Sequence, residues 1–286
     1  MVALLVLIET GLVGFGGCIF CSEKGSGDHL KNISIKTQIQ NHLNSYRGLR
    51  ANKFIVYFQN FSNTYVSNEM LSNSNFSNKI DYLKNVFDQA FIDNRIVGIE
   101  IATRPDCINE EIAKLISSYT RKYYVCVELG FQTANDIVAF KFNRGYSSEA
   151  FTVAVNLLRK YNINIVAHIM CGLPYEEKND VKQTVNFLNM HDIQGIKIHS
   201  CYVVKNTDLE KLYINGNFNP ISLDEYLDDL IYIITHIKKD IIIHRVSGDA
   251  PKNLLVAPEW NSHKKLVLNG LDKILKEKNL YQGMYN

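Results

Sequence analysis

Short β-type apolar runs recur along this chain, and each is followed by an amphipathic segment. The runs are Phe54–Phe58, Val97–Ala102, Tyr123–Leu129, Ile163–Met170, Ile196–Val204 and Ile241–Val246. They are β-branched and nearly continuous, as strands covered on both faces must be. Ile80, Leu83, Val86, Phe87 and Phe91 mark one helical face after the first run. Glu110–Tyr119, Ser148–Tyr161 and Asp180–Met190 read as further helices, and Lys264–Lys278 as a final one. Ser222 and Glu225 form a capping box before Tyr226–Ile237. This alternation predicts an α/β fold with a parallel sheet. A full eight-unit barrel runs to roughly 250 residues, but only about six strands are visible, so an incomplete barrel competes with an open doubly wound sheet.

The chain has 286 residues, 46% of them hydrophobic, and a formal net charge of +2, which neither requires nor excludes a nucleic-acid partner. Met1 to Ile8 is apolar but too short to span a membrane, and it has no positive region to make a signal peptide or lipoprotein leader. The expectation is a cytoplasmic protein with no membrane partner. Of the six cysteines only Cys18 and Cys21 are close in sequence. Cys107, Cys126, Cys171 and Cys201 lie in apolar runs and are expected to act as small buried hydrophobes in a reducing compartment.

The chemistry-bearing stretch is Gly14-Phe15-Gly16-Gly17-Cys18-Ile19-Phe20-Cys21. Two thiols three positions apart on a glycine-rich loop suit one soft metal centre. Two are too few for most such centres. The glycines lack the spacing of a dinucleotide fingerprint. In parallel α/β folds the active site lies at the C-terminal ends of the strands, and the polar residues collect there. Gln59, Asn60, Asn63 and Thr64 follow the first run, and Thr103, Arg104 and Asp106 follow the second. Glu128 and Gln132 close the third, and His168 lies in the fourth before Gly172-Leu173-Pro174. Lys197 and His199 lie in the fifth, and His244, Arg245, Ser247 and Asp249 end the sixth.

Each has a plainer reading. A histidine inside an apolar strand is more often a hydrogen-bonded core residue than a ligand. Arg104 before Pro105 caps a helix or pairs with Asp106 in its plainer readings, and Gly172-Leu173-Pro174 makes an ordinary strand-to-helix turn. Glu128, between Val127 and Leu129, is costly to bury and needs a partner. Cys18 and Cys21 with His29 would start a zinc knob, but no fourth ligand stands at zinc-like spacing. A thioredoxin-type pair would sit at a helix N-terminus, whereas loop residues follow this one.

Strings along the chain resemble the radical S-adenosylmethionine (SAM) enzymes, specifically the YtqA/YhcC-like branch related to the elongator catalytic subunit. They are GGCIFCSEKGSGD (16–28), YFQNFSNTY (57–65), GIEIATRPDC (98–107), VELGFQTAND (128–137), NRGY (143–146), AHIMCGLP (167–174), GIKIH (195–199), HRVSGDAP (244–251) and LLVAPEW (254–260). The resemblance implies a partial (β/α)6 TIM-like barrel over 11–250, with a C-terminal helical segment over 251–286. It also implies a [4Fe-4S] cluster on three cysteines, the last two being Cys18 and Cys21, with Phe20 as the aromatic residue before the last ligand. Such a cluster cleaves SAM to a 5′-deoxyadenosyl radical. Gln59, Thr103, Arg104, Glu128, Gln132, His168 and Gly172 become candidates for holding SAM. His199, Arg245 and Asp249 become candidates for facing substrate. Relatives imply tRNA wobble-uridine side-chain modification, with tRNA as substrate and flavodoxin or ferredoxin as electron donor. Lys264-Lys265 and the lysines of 273–278 suit phosphate contacts or a solvated helix face equally.

One departure is serious. The family's first cysteine lies in a string like GFTCPNRDG, twelve positions before the second, and here that position is Val6. A valine cannot ligate iron. The strand leading into the loop is expected to be incomplete. Val6-Leu7-Ile8-Glu9-Thr10 can be encoded GTC-CTA-ATA-GAG-ACG; preceded by T and read one base earlier, this spells CPNRD. Residues 1–10 therefore read as an out-of-frame stretch, from a frameshift or a misplaced start codon. Resequencing the gene tests this, and the absence of a GFTCPNRDG coding one frame over ends it. Two other classes stay open: a catalytically inactive scaffold of the same fold, and a zinc-dependent α/β barrel enzyme.

Overall fold

The computed structural model describes residues 17–22, 33–248, 250 and 253–286, and the backbone of 2–6. The strands are β1 (Val2–Val6), β2 (Phe54–Phe58), β3 (Ile96–Thr103), β4 (Tyr124–Gln132), β5 (Asn164–Cys171), β6 (Gly195–Ser200), β7 (Val203–Val204), β8 (Ile242–Arg245) and β9 (Leu255–Ala257). One sheet has the order β1-β2-β3-β4-β5-β6-β8, and β7 with β9 forms a small antiparallel pair. The pairings of β1 through β4, of β5 with β6 and of β6 with β8 are parallel. The expected α/β alternation is thus present, with helices at Lys79–Asp88, Glu110–Thr120, Ser148–Lys160, Lys178–Asn189 and Leu223–His236 between successive strands.

The strand expected to be incomplete forms over Val2–Val6 and pairs along the whole of β2, with Val6 opposite Phe58. A run of five apolar residues supplies what a neighbour of a buried strand needs. The run expected over Ile196–Val204 is broken at Cys201 and Tyr202 into β6 and β7.

The chain divides into two compact units. The first comprises residues 1–15, 24–129 and 153–165. In it all five residues of β2 are buried. Phe58 packs on Phe87 at 5.3 Å between ring centres, and Phe91 stacks on Tyr123 at 3.8 Å. Asn78 and Asn109 cap the helices over this core, each accepting a hydrogen bond from the third residue onward.

The second unit comprises 16–23, 130–152 and 166–286. Phe131, Phe151 and Phe187 form an aromatic cluster in it. The Ser222–Glu225 capping box is formed as expected, and Glu177 and Asp180 make a second one. The final helix, Lys264–Glu277, packs on Leu223–His236. No helix among the described residues is long and apolar enough to cross a membrane.

Candidate functional site

The cysteine loop is held by its own unit from three sides. A turn closed by the Cys21 N–H on the Cys18 carbonyl (2.9 Å) sets the two thiols together. The Cys18 thiol at its side lowers the Cys21 pKa, against opposing burial. Gly17 sits at φ +61, where a side chain would be strained. The Asn143 amide donates to the Gly17 carbonyl at 2.7 Å. The Ile19 N–H donates to the Phe142 carbonyl at 3.2 Å, and the Leu209 N–H to the Ile19 carbonyl at 2.9 Å. Phe20 lies 5.2 Å from Phe142, ring centre to ring centre. Cys18, Ile19 and Phe20 pack on the apolar cluster of Val138, Phe142, Leu173, Cys201 and Leu209.

Arg144, one residue beyond this cradle, is fully buried. Its guanidinium donates to the carbonyls of Tyr146, Phe131 and Thr133 at 2.6–2.9 Å and pairs with Asp136 at 2.7 Å. Asp136 in turn accepts from the Ser148 N–H. The carbonyls of Phe131 and Thr133 are hidden from water, whereas Asp136 stays exposed. Sequence reasoning singled out the NRGY string without giving any of its residues a role. An Arg-Gly pair in a polar stretch looks like a solvated turn, and only the tertiary structure reveals its burial.

Gln132 ends β4 at φ +62, an uncommon conformation for a residue other than glycine. The Tyr146 hydroxyl donates to the Gly130 carbonyl at 2.7 Å and reaches the Gln132 side-chain oxygen at 3.3 Å. His168 and His199 stack, their rings 5.3 Å apart. Gly172 turns out of β5 at φ +73, and a Cβ there would lie 2.7 Å from Ile221. Gly172→Ala is therefore expected to cost about 1–3 kcal/mol, read as a lowered thermal midpoint, and Ile221→Ala in the same chain to recover part of it.

Beyond that turn Glu176 is half-buried, with one carboxyl oxygen hidden from water, near Asp229 and Asp180. Burial pushes its carboxyl up to about 8, and that of Asp229 to about 6. Glu176 accepts from the Leu173 N–H at 2.9 Å. The folded chain thus holds a proton that the unfolded chain releases near 4.5. This stabilisation is full below about pH 4.5 and is lost as pH rises through about 8. Glu176→Gln is expected to flatten the fall in thermal midpoint between mildly acidic and mildly alkaline buffer.

In the first unit, Glu128 finds the partner its burial demands: the Tyr57 hydroxyl donates to its carboxylate at 2.5 Å. Gln59 directly follows β2. Asn63 ties the ends of β2 and β3 through the carbonyls of Phe58 (2.9 Å) and Ala102 (2.8 Å). Thr103 ends β3 and shares a 2.7 Å hydrogen bond with Thr64. Arg104 makes a two-point pair with Asp106 at 2.9 and 2.7 Å, the plainer of its two readings. Cys126, Cys171 and Cys201 are buried as expected, and Cys107 is half-buried. Asp249 lies outside the described residues.

Residues 15–188 match the Radical SAM superfamily, and 193–277 match its C-terminal domain. The chain belongs to the radical SAM family. It is 33% identical to YtqA of Bacillus subtilis (strain 168) over 96% of its own length and 83% of that protein. It is 28% identical to a tRNA uridine(34) acetyltransferase of Methanocaldococcus jannaschii, over 57% of this chain and 30% of that one. Among solved structures, the Elp3 of Methanocaldococcus infernus with an N-terminal deletion matches with a TM-score of 0.67 at 18% identity, covering 86% of this chain and 59% of that one. The fold is accordingly the α/β partial barrel of radical SAM enzymes.

The family's cofactors are a [4Fe-4S] cluster and SAM. The described residues meet the cluster's needs in part only. Cys18 and Cys21 offer two thiolates on one turn, but among the described residues no group of three His, Cys, Asp or Glu is placed to hold a metal. Val6, where the resemblance leads one to expect the first cysteine, is the last residue of β1. Two thiolates alone do not make a three-thiolate site, and no reaction step is derived through the cluster.

Proposed function

We propose that this radical SAM enzyme modifies the side chain of a wobble uridine in tRNA. The observation that carries this reading is the similarity to a tRNA uridine(34) acetyltransferase, joined to the fold shared with Elp3. Gln59, Thr103, Arg104, Glu128, Gln132, His168, Phe20 and the Gly172 turn are the residues proposed to hold SAM. His199, Arg245 and Asp249 are proposed to face the RNA. Buried, hydrogen-bonded polar groups such as Glu128 offer SAM fixed partners whose orientation needs no reorganisation on binding. A flavodoxin or ferredoxin is the proposed electron donor, and the cytoplasm the proposed location.

The test uses the chain with residues 3–10 replaced by Gly-Phe-Thr-Cys-Pro-Asn-Arg-Asp, reconstituted anaerobically and given SAM, reductant and tRNA lacking uridine-34 modification. The expected result is 5′-deoxyadenosine together with a mass change confined to that nucleoside. SAM cleavage that tRNA neither stimulates nor consumes would overturn the substrate assignment. A second reading, a scaffold of the same fold, is favoured by Val6. It predicts tRNA binding by the unmodified chain and no 5′-deoxyadenosine from the repaired one.

A further inference from the structure

One face of the second unit's sheet carries a row of basic side chains. In neighbouring parallel strands, residues in register project to the same face. His168 of β5 lies beside Lys197 of β6, and Met170 beside His199. A register shift after Ile196 sets Arg245 of β8 opposite Lys197, and the bulged His244 lies against Gly195 on the same face, its Nε2 2.5 Å from where a Cβ would stand. The alternate residues Ala167, Ile169, Ile196 and Ile198 are buried almost completely and belong to the opposite face. Among the residues of β5, β6 and β8 none is acidic, so these strands themselves place no carboxylate beside the row.

Arg245 is the telling member. It is half-buried, yet makes no hydrogen bond or ion pair with any described residue. A guanidinium is always charged and offers five donors, and desolvating it without an acceptor is costly. The chain beyond it is nevertheless fixed. The Tyr226 hydroxyl donates to the Val246 carbonyl at 2.9 Å, and Trp260 stacks on Tyr226 at 5.2 Å. Gly248 runs so close to His199 that a Cβ would lie 3.0 Å from Nδ1. A planar fork beside an ammonium and an imidazole matches the charge and oxygen geometry of a phosphate group.

We infer that this face binds a phosphate group of the substrate, with Arg245 as the anchor and Lys197 and His199 beside it. The inference rests on the reading that the substrate is an RNA nucleotide, and it names the part of that nucleotide the sheet recognises.

Calorimetric titration of the full chain with uridine 5′-monophosphate, uridine and inorganic phosphate tests it. The nucleotide is expected to bind at least tenfold more tightly than uridine. Arg245→Gln is expected to abolish that preference while leaving the thermal midpoint unchanged, since Arg245 supports no other described group. Inorganic phosphate binding as tightly as the nucleotide would support a phosphate site and make the free ion its occupant. Equal affinity for nucleotide and nucleoside, or an undiminished preference in Arg245→Gln, overturns the inference. So does a variant that loses SAM and keeps the nucleotide.

An anticodon stem-loop RNA separates this from the substrate reading. If it binds Arg245→Gln as tightly as the native chain, the phosphate anchor fails and the tRNA reading stands. If the Arg245-dependent preference appears but the stem-loop binds no tighter than the mononucleotide, the anchor stands and the tRNA reading fails.

Discussion

Replacing residues 3–10 by Gly-Phe-Thr-Cys-Pro-Asn-Arg-Asp is expected to raise bound iron from near zero to about four atoms per chain after anaerobic reconstitution, because a site-differentiated cluster of this type takes three thiolates. The present chain offers Cys18 and Cys21. Its position 6 is the last residue of β1, opposite Phe58, which ends β2. In parallel α/β folds such strand ends are where active-site residues stand. Val6→Cys alone isolates the ligand from the rest of the string and is expected to restore part of the iron. Cys18→Ala in the repaired chain is expected to remove it again. Iron and sulfide content and the visible absorbance of the cluster are the measurements. A stable, reducible cluster in the unmodified chain would sink this prediction, and would assign the third ligand to another residue.

Arg144→Met is expected to cost about 2–4 kcal/mol of stability. It removes one fully buried guanidinium and strands the carbonyls of Phe131, Thr133 and Tyr146, while the exposed Asp136 carboxylate keeps Ser148 and water. These groups flank the segment Phe142-Asn143 that holds the cysteine loop through the Ile19 N–H and the Gly17 carbonyl. A thermal melt reads the stability loss. Asn143→Ala loads the cysteine loop rather than the buried network: it removes the 2.7 Å hydrogen bond to Gly17 and puts alanine at φ +62, so it is expected to cost about 1–3 kcal/mol while lowering cluster retention in the repaired chain. If Arg144→Met melts like the native chain, the buried network is not what holds this region.

Strand and helix positions were legible because burial on both faces of a parallel sheet forces continuous apolar runs, and covering helices repeat at their own period. The run Phe54–Phe58 became β2 residue for residue. The break between β6 and β7 was not legible, because Cys201 and Val203 are as apolar as a continuing strand and both are fully buried. The need of Glu128 for a partner could be read from its neighbours, but its partner is Tyr57, seventy-one residues earlier. No local pattern specifies a contact at that separation.

By itself the sequence determined the α/β alternation, the two thiols on a glycine-rich turn and the family to which its strings belong. These depend on residue identity and on short-range periodicity. Only the tertiary structure decided that Arg144 is buried beneath the segment that grips the cysteine loop. Only the register between β5, β6 and β8 set His168, Lys197 and Arg245 in one row. Both outcomes depend on which distant groups the fold desolvates together, and the cost of leaving such groups unpaired is a property of the packed chain rather than of any local stretch.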